Sequence, residues 1–150
     1  MSMMFEPLRK YATFTGRARR KEYWWFHLFL LAVQTVLMIW FLSSVYSALA
    51  ANTYVVEDEF GYFESAVVNG GPAFVPLVVM GLFSLAMLLP SLAVAVRRLH
   101  DADFSGWWVL LALLPAGQLV LFIFFLLDGT PGPNRFGPDP KGRAGPLAGV

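Results

Sequence analysis

The sequence predicts an all-α integral membrane protein, a helical bundle with three membrane segments. Apolar residues make up 57% of the 150 residues and charged residues 14%, against roughly 45–50% and about 25% in soluble domains. The mean hydropathy is +0.60. Nearly half of the chain lies in three runs without Asp, Glu, Lys or Arg. A soluble fold of this size could not bury so much apolar surface.

Each apolar run is long enough for a membrane-spanning helix. The runs are residues 23–51, 73–96 and 107–127. Each exceeds the roughly 18 residues that mark a spanning helix, and none shows the alternation of a barrel strand. Trp24 and Trp25 begin the first run, and Trp107 and Trp108 begin the third. Paired tryptophans are typical of the membrane interface, so both ends are expected there.

The third run contains Pro115, Ala116 and Gly117 at its middle. Proline inside a helix removes a backbone hydrogen bond and bends the helix. The sequence therefore predicts a third segment kinked at Pro115. The alternative is a re-entrant hairpin that turns at these residues and returns the chain to the side it came from. The two interpretations place the tail, residues 128–150, on opposite sides of the membrane.

The basic residues predict the orientation. Segment 1–22 carries six Lys or Arg residues, and the connection after the second run carries two. The loop of residues 52–72 carries none and is acidic. By the positive-inside rule the N-terminus is cytoplasmic and this loop lies outside. The tail is rich in Gly and Pro, which favours turns or extended chain over a regular helix.

The basic cytoplasmic face predicts contact with anionic lipid or with a partner protein. Phe5, Leu8 and Tyr11 recur at three-residue intervals, so residues 4–12 are expected to form a short interfacial helix. Basic side chains near an anionic leaflet attract it by about 1 kcal/mol each. Our candidates for this contact are Arg17, Arg19, Arg20, Arg97 and Arg98.

A second polar cluster follows the second run directly and predicts a structural clamp. Arg97 and Asp101 are four residues apart, and a continuing helix would pair them. His100 lies beside them, and Glu22 could join the cluster from the first helix. The clamp candidates are Glu22, Arg97, His100 and Asp101. A metal or acid–base role for His100 and Asp101 is a weaker alternative, because the chain offers few further ligands.

These patterns favour a non-enzymatic membrane scaffold or accessory protein. The chain has no cysteine, and none of the common catalytic or phosphate-binding motifs occurs in it. His27 is the sole ionisable candidate inside the runs, which argues against ion-coupled transport. We expect no cofactor, no metal and no nucleic-acid partner. The expected partners are the lipid bilayer, anionic phospholipid above all, and a homo-oligomer or another membrane protein.

Two other functions remain open at this point. The first is an oligomeric pore or small-solute conduit, shaped by kinks at Pro90 and Pro115 and by small residues four apart. The second is an interfacial lipid-modifying enzyme that uses His100 and Asp101. The first rests on helix shape alone, and the second lacks a recognisable nucleophile.

Four separated motifs resemble the domain of unknown function 805 family, the YhaH-like small bacterial inner-membrane proteins. They are Phe14 with Gly16-Arg17 and Arg20-Lys21-Glu22-Tyr23-Trp24, then Arg97 to Asp101, then Ser105 to Trp108, and last Gly129-Thr130-Pro131-Gly132 with Asn134 to Pro140. Two departures are local: Ala102-Asp103-Phe104 replaces an expected Thr-Gly-basic turn, and Pro133 replaces an acidic residue. The resemblance implies a multi-pass protein of the bacterial inner membrane and implies no particular activity.

Overall fold

The computed structural model describes residues 5–51, 53–58, 61–66 and 71–144. Its elements in chain order are α1 (Glu6–Arg9), α2 (Arg20–Ala51), β1 (Thr53–Asp58), β2 (Gly61–Ala66), α3 (Gly71–Asp101), a 3₁₀ helix (Gly106–Leu113) and α4 (Pro115–Leu126). The chain divides into two compact units. Residues 1–29 and 87–150 form one unit, and residues 30–86 form the other. The predicted helical fold is confirmed, with an added β-hairpin.

Two helices have the length and composition to cross a membrane among the described residues. α2 has 32 residues and α3 has 31, which corresponds to about 45–48 Å each. Their hydroxyl side chains do not remain unpaired. Thr35 Oγ1 donates to the Leu31 carbonyl at 2.8 Å, and Ser84 Oγ donates to the Met80 carbonyl at 2.8 Å. Such bonds along the same helix satisfy polar groups where lipid offers none.

The N-terminal helix is shorter than the predicted residues 4–12. Among the residues the structure describes there, α1 covers Glu6–Arg9, with Pro7 in its first turn. Proline favours a helix start because its φ is already helical. Lys10 Nζ lies 3.0 Å from Glu6 Oε1 and closes the turn. Phe5 packs edge-on against Phe29 of α2, with ring centroids 5.8 Å apart.

Part of the predicted outer loop is a β-hairpin. β1 and β2 pair in antiparallel register, with Val55 opposite Glu64 and Val56 opposite Phe63. The acidic residues of this segment indicated a solvated loop. The strands instead follow its valines and aromatic residues, which favour extended backbone. The turn between the strands and the return to α3 lie outside the described residues.

α3 ends in a tight C-terminal turn at Asp103. The Phe104 N–H donates to the Leu99 carbonyl and the Asp103 N–H to the His100 carbonyl, at 3.0 and 3.1 Å. Asp103 has φ +61°, a conformation in which glycine is usual and Asp is among the better-tolerated alternatives. This is the position at which the resembling family is expected to have glycine. The Asp103 side chain also pairs with Arg135 of the tail, at 3.2 Å.

The prediction of one kinked helix over residues 107–127 is wrong. The 3₁₀ helix ends at Leu113, Leu114 is extended, and α4 starts at Pro115. Proline pushes the preceding residue into extended backbone, so the chain breaks here instead of bending. The 3₁₀ helix has 8 residues and α4 has 12, or about 16 and 18 Å. Neither matches a hydrocarbon core of about 30 Å.

The two halves of this run form a helical hairpin. A Cβ atom on Gly117 would overlap the Leu111 carbonyl oxygen, so α4 lies against the 3₁₀ helix at this point. Gln118 Nε2 donates to the Ala112 carbonyl at 3.3 Å. Near the other end of α4, Phe124 stacks on Phe104 with ring centroids 4.3 Å apart. The run therefore starts and ends beside the C-terminal end of α3.

Candidate functional site

Three polar segments meet at this end of the first unit. They are residues 14–22, the last turn of α3 and the tail after α4. Gly16 has φ +85°, a left-handed conformation that suits glycine. The turn at Gly16 brings the Ala18 N–H to the Arg97 carbonyl at 3.0 Å. We use "charge cluster" for the six buried groups Arg17, Glu22, Arg97, Arg98, Asp101 and Asp139.

Arg17 connects all three segments. Its side chain is 1% exposed, and its Nε lies 2.9 Å from Asp101 Oδ1. The remaining donors reach the tail backbone: Nη1 to the Gly132 carbonyl at 2.7 Å and Nη2 to the Thr130 carbonyl at 2.6 Å. The guanidinium has five donors in a fixed plane, which suits several acceptors at once. Arg17 is therefore a structural hub of the unit and has no face open to lipid.

Arg97 and Arg98 have different partners from those predicted. Asp101 pairs with Arg98 at 3.2 Å, three residues earlier on the helix, and not with Arg97. Arg97 instead pairs with Glu22 of α2 at 2.8 Å. Arg98 and Arg97 precede Asp101 by three and four residues, so helical geometry lets either one pair with it. Arg97 pairs with Glu22 of α2, which leaves Arg98 as the helical partner of Asp101. The predicted link between the first two long helices is thus an ion pair between Arg97 and Glu22.

The charge cluster balances three arginines against three carboxylates. Burial of an unpaired charge is very costly, whereas a hydrogen-bonded pair in good geometry recovers much of that cost. Asp139 lies 3.9 Å from Arg17 and its side chain is 2% exposed. Arg97 Nε and Nη2 and Arg98 Nε lack a partner in the part of the chain that the structure describes. Loss of Glu22 would take from the buried Arg97 the carboxylate that lies 2.8 Å from its Nη1.

The tail docks on the end of α3 mainly through the backbone. The Thr130 N–H donates to the Asp101 carbonyl at 2.9 Å, and Asn134 Nδ2 donates to the His100 carbonyl at 2.9 Å. Arg98 also donates to the Leu127 carbonyl. A Cβ on Gly129 would overlap the Asp101 carboxylate, so the chain passes close to the charge cluster. Thr130, Gly132 and Asn134 were noticed only as part of the fourth motif and not as site residues, because Thr130 and Gly132 act mainly through main-chain atoms and Asn134 binds a main-chain carbonyl.

His100 joins the N-terminal segment to the tail. Its Nδ1 lies 3.2 Å from the Gly16 carbonyl oxygen, and its ring stacks on Phe136 with centroids 3.9 Å apart. Arg135 pairs with Asp103 at 3.2 Å and lies over the Phe136 ring. Neither contact pairs His100 with Asp101. Among residues 5–51, 53–58, 61–66 and 71–144, no three His, Asp or Glu side chains converge as a metal site.

Two of the five predicted lipid contacts, Arg19 and Arg20, remain accessible. They line a shallow cavity of about 330 Å³ together with Lys21 and Lys141, and we call this surface the basic groove. Arg20 is anchored at its edge, since its Nε donates to the Leu127 carbonyl at 2.7 Å. Arg17, Arg97 and Arg98 are buried in the charge cluster. The structure therefore divides the five candidates into a buried and an exposed set.

Because of Asp139, we expect the free energy of unfolding to fall at acid pH. Burial opposes its ionisation, but hydrogen bonds from Arg143 Nε and the Lys141 N–H outweigh burial and lower the carboxyl pKa from 3.8 to about 2. A carboxyl with a lowered pKa stabilises the fold above its unfolded pKa and loses that contribution as the pH falls through the folded one. The stabilisation is thus complete above about pH 4 and lost from about pH 4 to pH 2.

The test compares the free energies of unfolding of the native chain and Asp139→Asn at several pH values. We expect the native chain to be more stable at pH 6 and the difference to shrink between pH 4 and pH 2. All other carboxyl groups are the same in both chains, so the difference isolates Asp139. A difference that stays constant over this range would contradict the assignment.

Comparisons with known proteins agree with the resemblance found in the motifs. The profile of the family described as protein of unknown function (DUF805) matches residues 11–138. Inner membrane protein YhaH of Escherichia coli (strain K12) is 37% identical over 142 residues, 94% of this chain and 98% of the relative. Inner membrane protein YhaI of the same strain is 38% identical, over 94% of this chain and 97% of the relative. No solved structure matches the chain. The chain therefore belongs to the DUF805 family of bacterial inner-membrane proteins.

Proposed function

We propose that the protein is a non-enzymatic scaffold of the bacterial inner membrane that holds anionic phospholipid at its cytoplasmic surface. The observation that carries this proposal is the basic groove, in which Arg19, Arg20, Lys21 and Lys141 share one accessible cavity. The groove precedes Trp24 and Trp25 directly along α2, and Trp25 is 55% exposed. Tryptophans prefer the headgroup level of a bilayer, and their proximity to the groove supports contact between the groove and lipid phosphates.

The non-enzymatic character is supported by how the polar groups are used. Asp101 receives hydrogen bonds from Arg17 and Arg98, and both arginines are buried with it. Both carboxylate oxygens of Asp101 already accept from these arginines, Oδ1 from Arg17 and Oδ2 from Arg98, so the carboxylate serves to hold segments together. Four basic side chains, by contrast, surround one accessible cavity, the basic groove. The site is arranged to stabilise anions and to hold segments together.

The proposed topology has two membrane-crossing helices, α2 and α3, and a re-entrant hairpin. The hairpin starts and ends at the same end of the first unit, as the Phe104–Phe124 stack requires. The N-terminal segment and the tail meet at Arg17. Both carry basic residues, which the positive-inside rule assigns to the cytoplasm. On this topology the N-terminus and residues 128–144 share the cytoplasmic side.

Paired reporters fused after Val150 test the topology in living cells. One reporter is active only in the cytoplasm and the other only outside it. We expect activity from the cytoplasmic reporter alone. The same pair inserted between residues 59 and 60 of the acidic loop serves as the control and should give the opposite pattern. Activity outside for the fusion after Val150 would mean that the third run crosses the membrane and would overturn the re-entrant hairpin.

Neutralising the basic groove should weaken binding of anionic phospholipid. In the triple variant Arg19→Gln/Lys21→Gln/Lys141→Gln, three charges are lost. Lys141 also pairs with Asp128, so we count only Arg19 and Lys21, at about 1 kcal/mol each near a lipid surface. We therefore expect affinity for phosphatidylglycerol to fall by at least about tenfold, measured by lipid titration of the purified protein with native mass spectrometry. Arg20 is retained because its side chain also holds the Leu127 carbonyl.

The matched control removes three charges elsewhere, in Arg9→Gln/Lys10→Gln/Arg135→Gln. These side chains are exposed and lie outside the basic groove. Phosphatidylcholine provides the uncharged lipid, and an unchanged unfolding transition shows that each variant is folded. Equal loss in both triple variants would show that net charge alone attracts the lipid. Unchanged affinity in the groove variant would refute the proposed contact.

A further inference from the structure

A second cavity of the first unit lies apart from the basic groove and has different chemistry. It has a volume of about 480 Å³, within the roughly 300–1,000 Å³ of typical small-molecule sites. None of the eight residues around it carries a permanent charge. The apolar side chains that line it are Phe14, Val96, Trp107, Val109 and Leu110. The cavity therefore suits an apolar ligand and offers no cation for a phosphate.

Two neutral polar groups, on His100 and Ser105, also line this cavity. His100 Nε2 faces Gly106, another lining residue, since a Cβ added to Gly106 would lie 3.2 Å from it. The Ser105 hydroxyl oxygen is 3.5 Å from the Trp107 N–H and accepts from it. A few convergent polar groups in an apolar cavity are what fix the orientation of a bound small molecule.

The tautomer of His100 follows from its other contact. Nδ1 lies 3.2 Å from the Gly16 carbonyl oxygen. A carbonyl oxygen can only accept, so Nδ1 carries the proton, and Nε2 of the neutral ring is an acceptor. The cavity thus presents the acceptor nitrogen Nε2 of His100 and the hydroxyl of Ser105. This hydroxyl accepts from the Trp107 N–H and can still donate its own proton. A ligand that satisfies both must donate and accept from one place, as an alcohol does.

We propose that this cavity binds an uncharged lipid with a hydroxyl head, such as a monoacylglycerol. The hydroxyl donates to His100 Nε2 and accepts from Ser105 Oγ. The acyl chain lies along Phe14, Val109 and Leu110. Trp107, which is 78% exposed, marks the side on which the chain continues into the bilayer. An uncharged lining disfavours anionic phospholipid headgroups, which the basic groove attracts instead.

The test uses the full chain in phosphatidylcholine nanodiscs and two matched probes. 1-Decanoylglycerol carries the hydroxyl head, and methyl decanoate has the same acyl chain without a donor. The chain contains two histidines, His27 and His100, so isotope-labelled histidine gives one resonance set for each, and His27→Gln assigns them. We expect decanoylglycerol to shift the Nε2 resonance of His100 and to bind about three- to tenfold more tightly than the ester.

Two variants on valines separate this site from general lipid contact. Val109→Trp fills the cavity and should abolish binding of decanoylglycerol. Val120→Trp introduces the same side chain on α4, outside the cavity, and should leave binding unchanged. Ser105→Ala removes one hydrogen-bonding group and should weaken binding about three- to tenfold.

Three results would overturn the proposal. They are equal affinities for the two probes, a His100 resonance that does not move, and binding that survives Val109→Trp. The first result would reduce the cavity to an acyl-chain groove without head recognition. If Val109→Trp does not fold, the comparison of the two probes on the native chain still decides. If phosphatidylglycerol displaced decanoylglycerol and reversed the shift of the His100 resonance, the cavity would be a site for anionic lipid, and the proposal would be refuted.

Discussion

Arg17→Gln is expected to lower the free energy of unfolding by about 3–5 kcal/mol, the usual cost of breaking a buried ion pair by removing one partner. The change leaves Asp101 with one cation instead of two, removes the donor of the Gly132 carbonyl and leaves the Thr130 carbonyl with the longer bond from Arg143 at 3.4 Å. Denaturation of the detergent-solubilised chain, followed by the circular dichroism of its tryptophans, measures the loss. The same loss should expose the tail to protease near Lys141.

Two further variants make the expectation for Arg17 specific. Arg19→Gln removes an equal charge two residues away, from a side chain in the basic groove, and should cost less than about 1 kcal/mol, as exposed charges do. Arg17→Lys keeps the charge but not the planar set of donors, so its stability should lie between the other two. If Arg17→Gln proved as stable as Arg19→Gln, the charge cluster would not hold the tail.

Gly117→Ala is expected to open the helical hairpin of the third apolar run. The added methyl group would overlap the backbone carbonyl of Leu111, and a backbone atom cannot move away as a flexible side chain can. Overpacking of this kind costs about 1–3 kcal/mol and occasionally more. We expect a lower midpoint of thermal unfolding and a faster hydrogen exchange of the α4 amides, measured by mass spectrometry.

The matched control for the hairpin is Gly81→Ala in α3. A Cβ at Gly81 would meet no atom within 4 Å. Alanine favours helix over glycine by about 0.8–1 kcal/mol in water, so this variant should be as stable as the native chain or more stable. A Gly117→Ala protein that behaved like Gly81→Ala would mean that α4 and the 3₁₀ helix are not in contact.

The sequence was sufficient for the long helices and insufficient for the third run. α2 and α3 each contain a long apolar run without Asp, Glu, Lys or Arg, and the length of that run is enough to predict a spanning helix. Around Pro115, the same residues permit a kink or a reversal. The choice depends on contacts remote in sequence, namely Gly117 against Leu111 and Phe124 against Phe104. Such contacts cannot be inferred from the local sequence around Pro115. The prediction of a kinked helix was therefore wrong.

The site could be predicted in part, for a related reason. Side-chain charges at Glu22, Arg97 and Asp101 drew attention to the cluster, but helical spacing could not choose between Arg97 and Arg98 as the partner of Asp101. Burial could not be inferred for Arg17, because its partners are main-chain carbonyls of a Gly- and Pro-rich tail. Asp139 belongs to the cluster only because the third run reverses.

The hydrogen bonds of Arg17 have a consequence for the order of events during synthesis. Its carbonyl partners at Thr130 and Gly132 are 113 and 115 positions further along the chain, so they leave the ribosome long after α2 has been made. Until then, Arg17 cannot form its hydrogen bonds to the tail, and this end of the unit cannot complete its folding. A chain interrupted before residue 130 would keep the pair of Arg17 with Asp101 but would lack the two tail carbonyls that Arg17 also binds, a difference by which quality-control proteases could distinguish incomplete products.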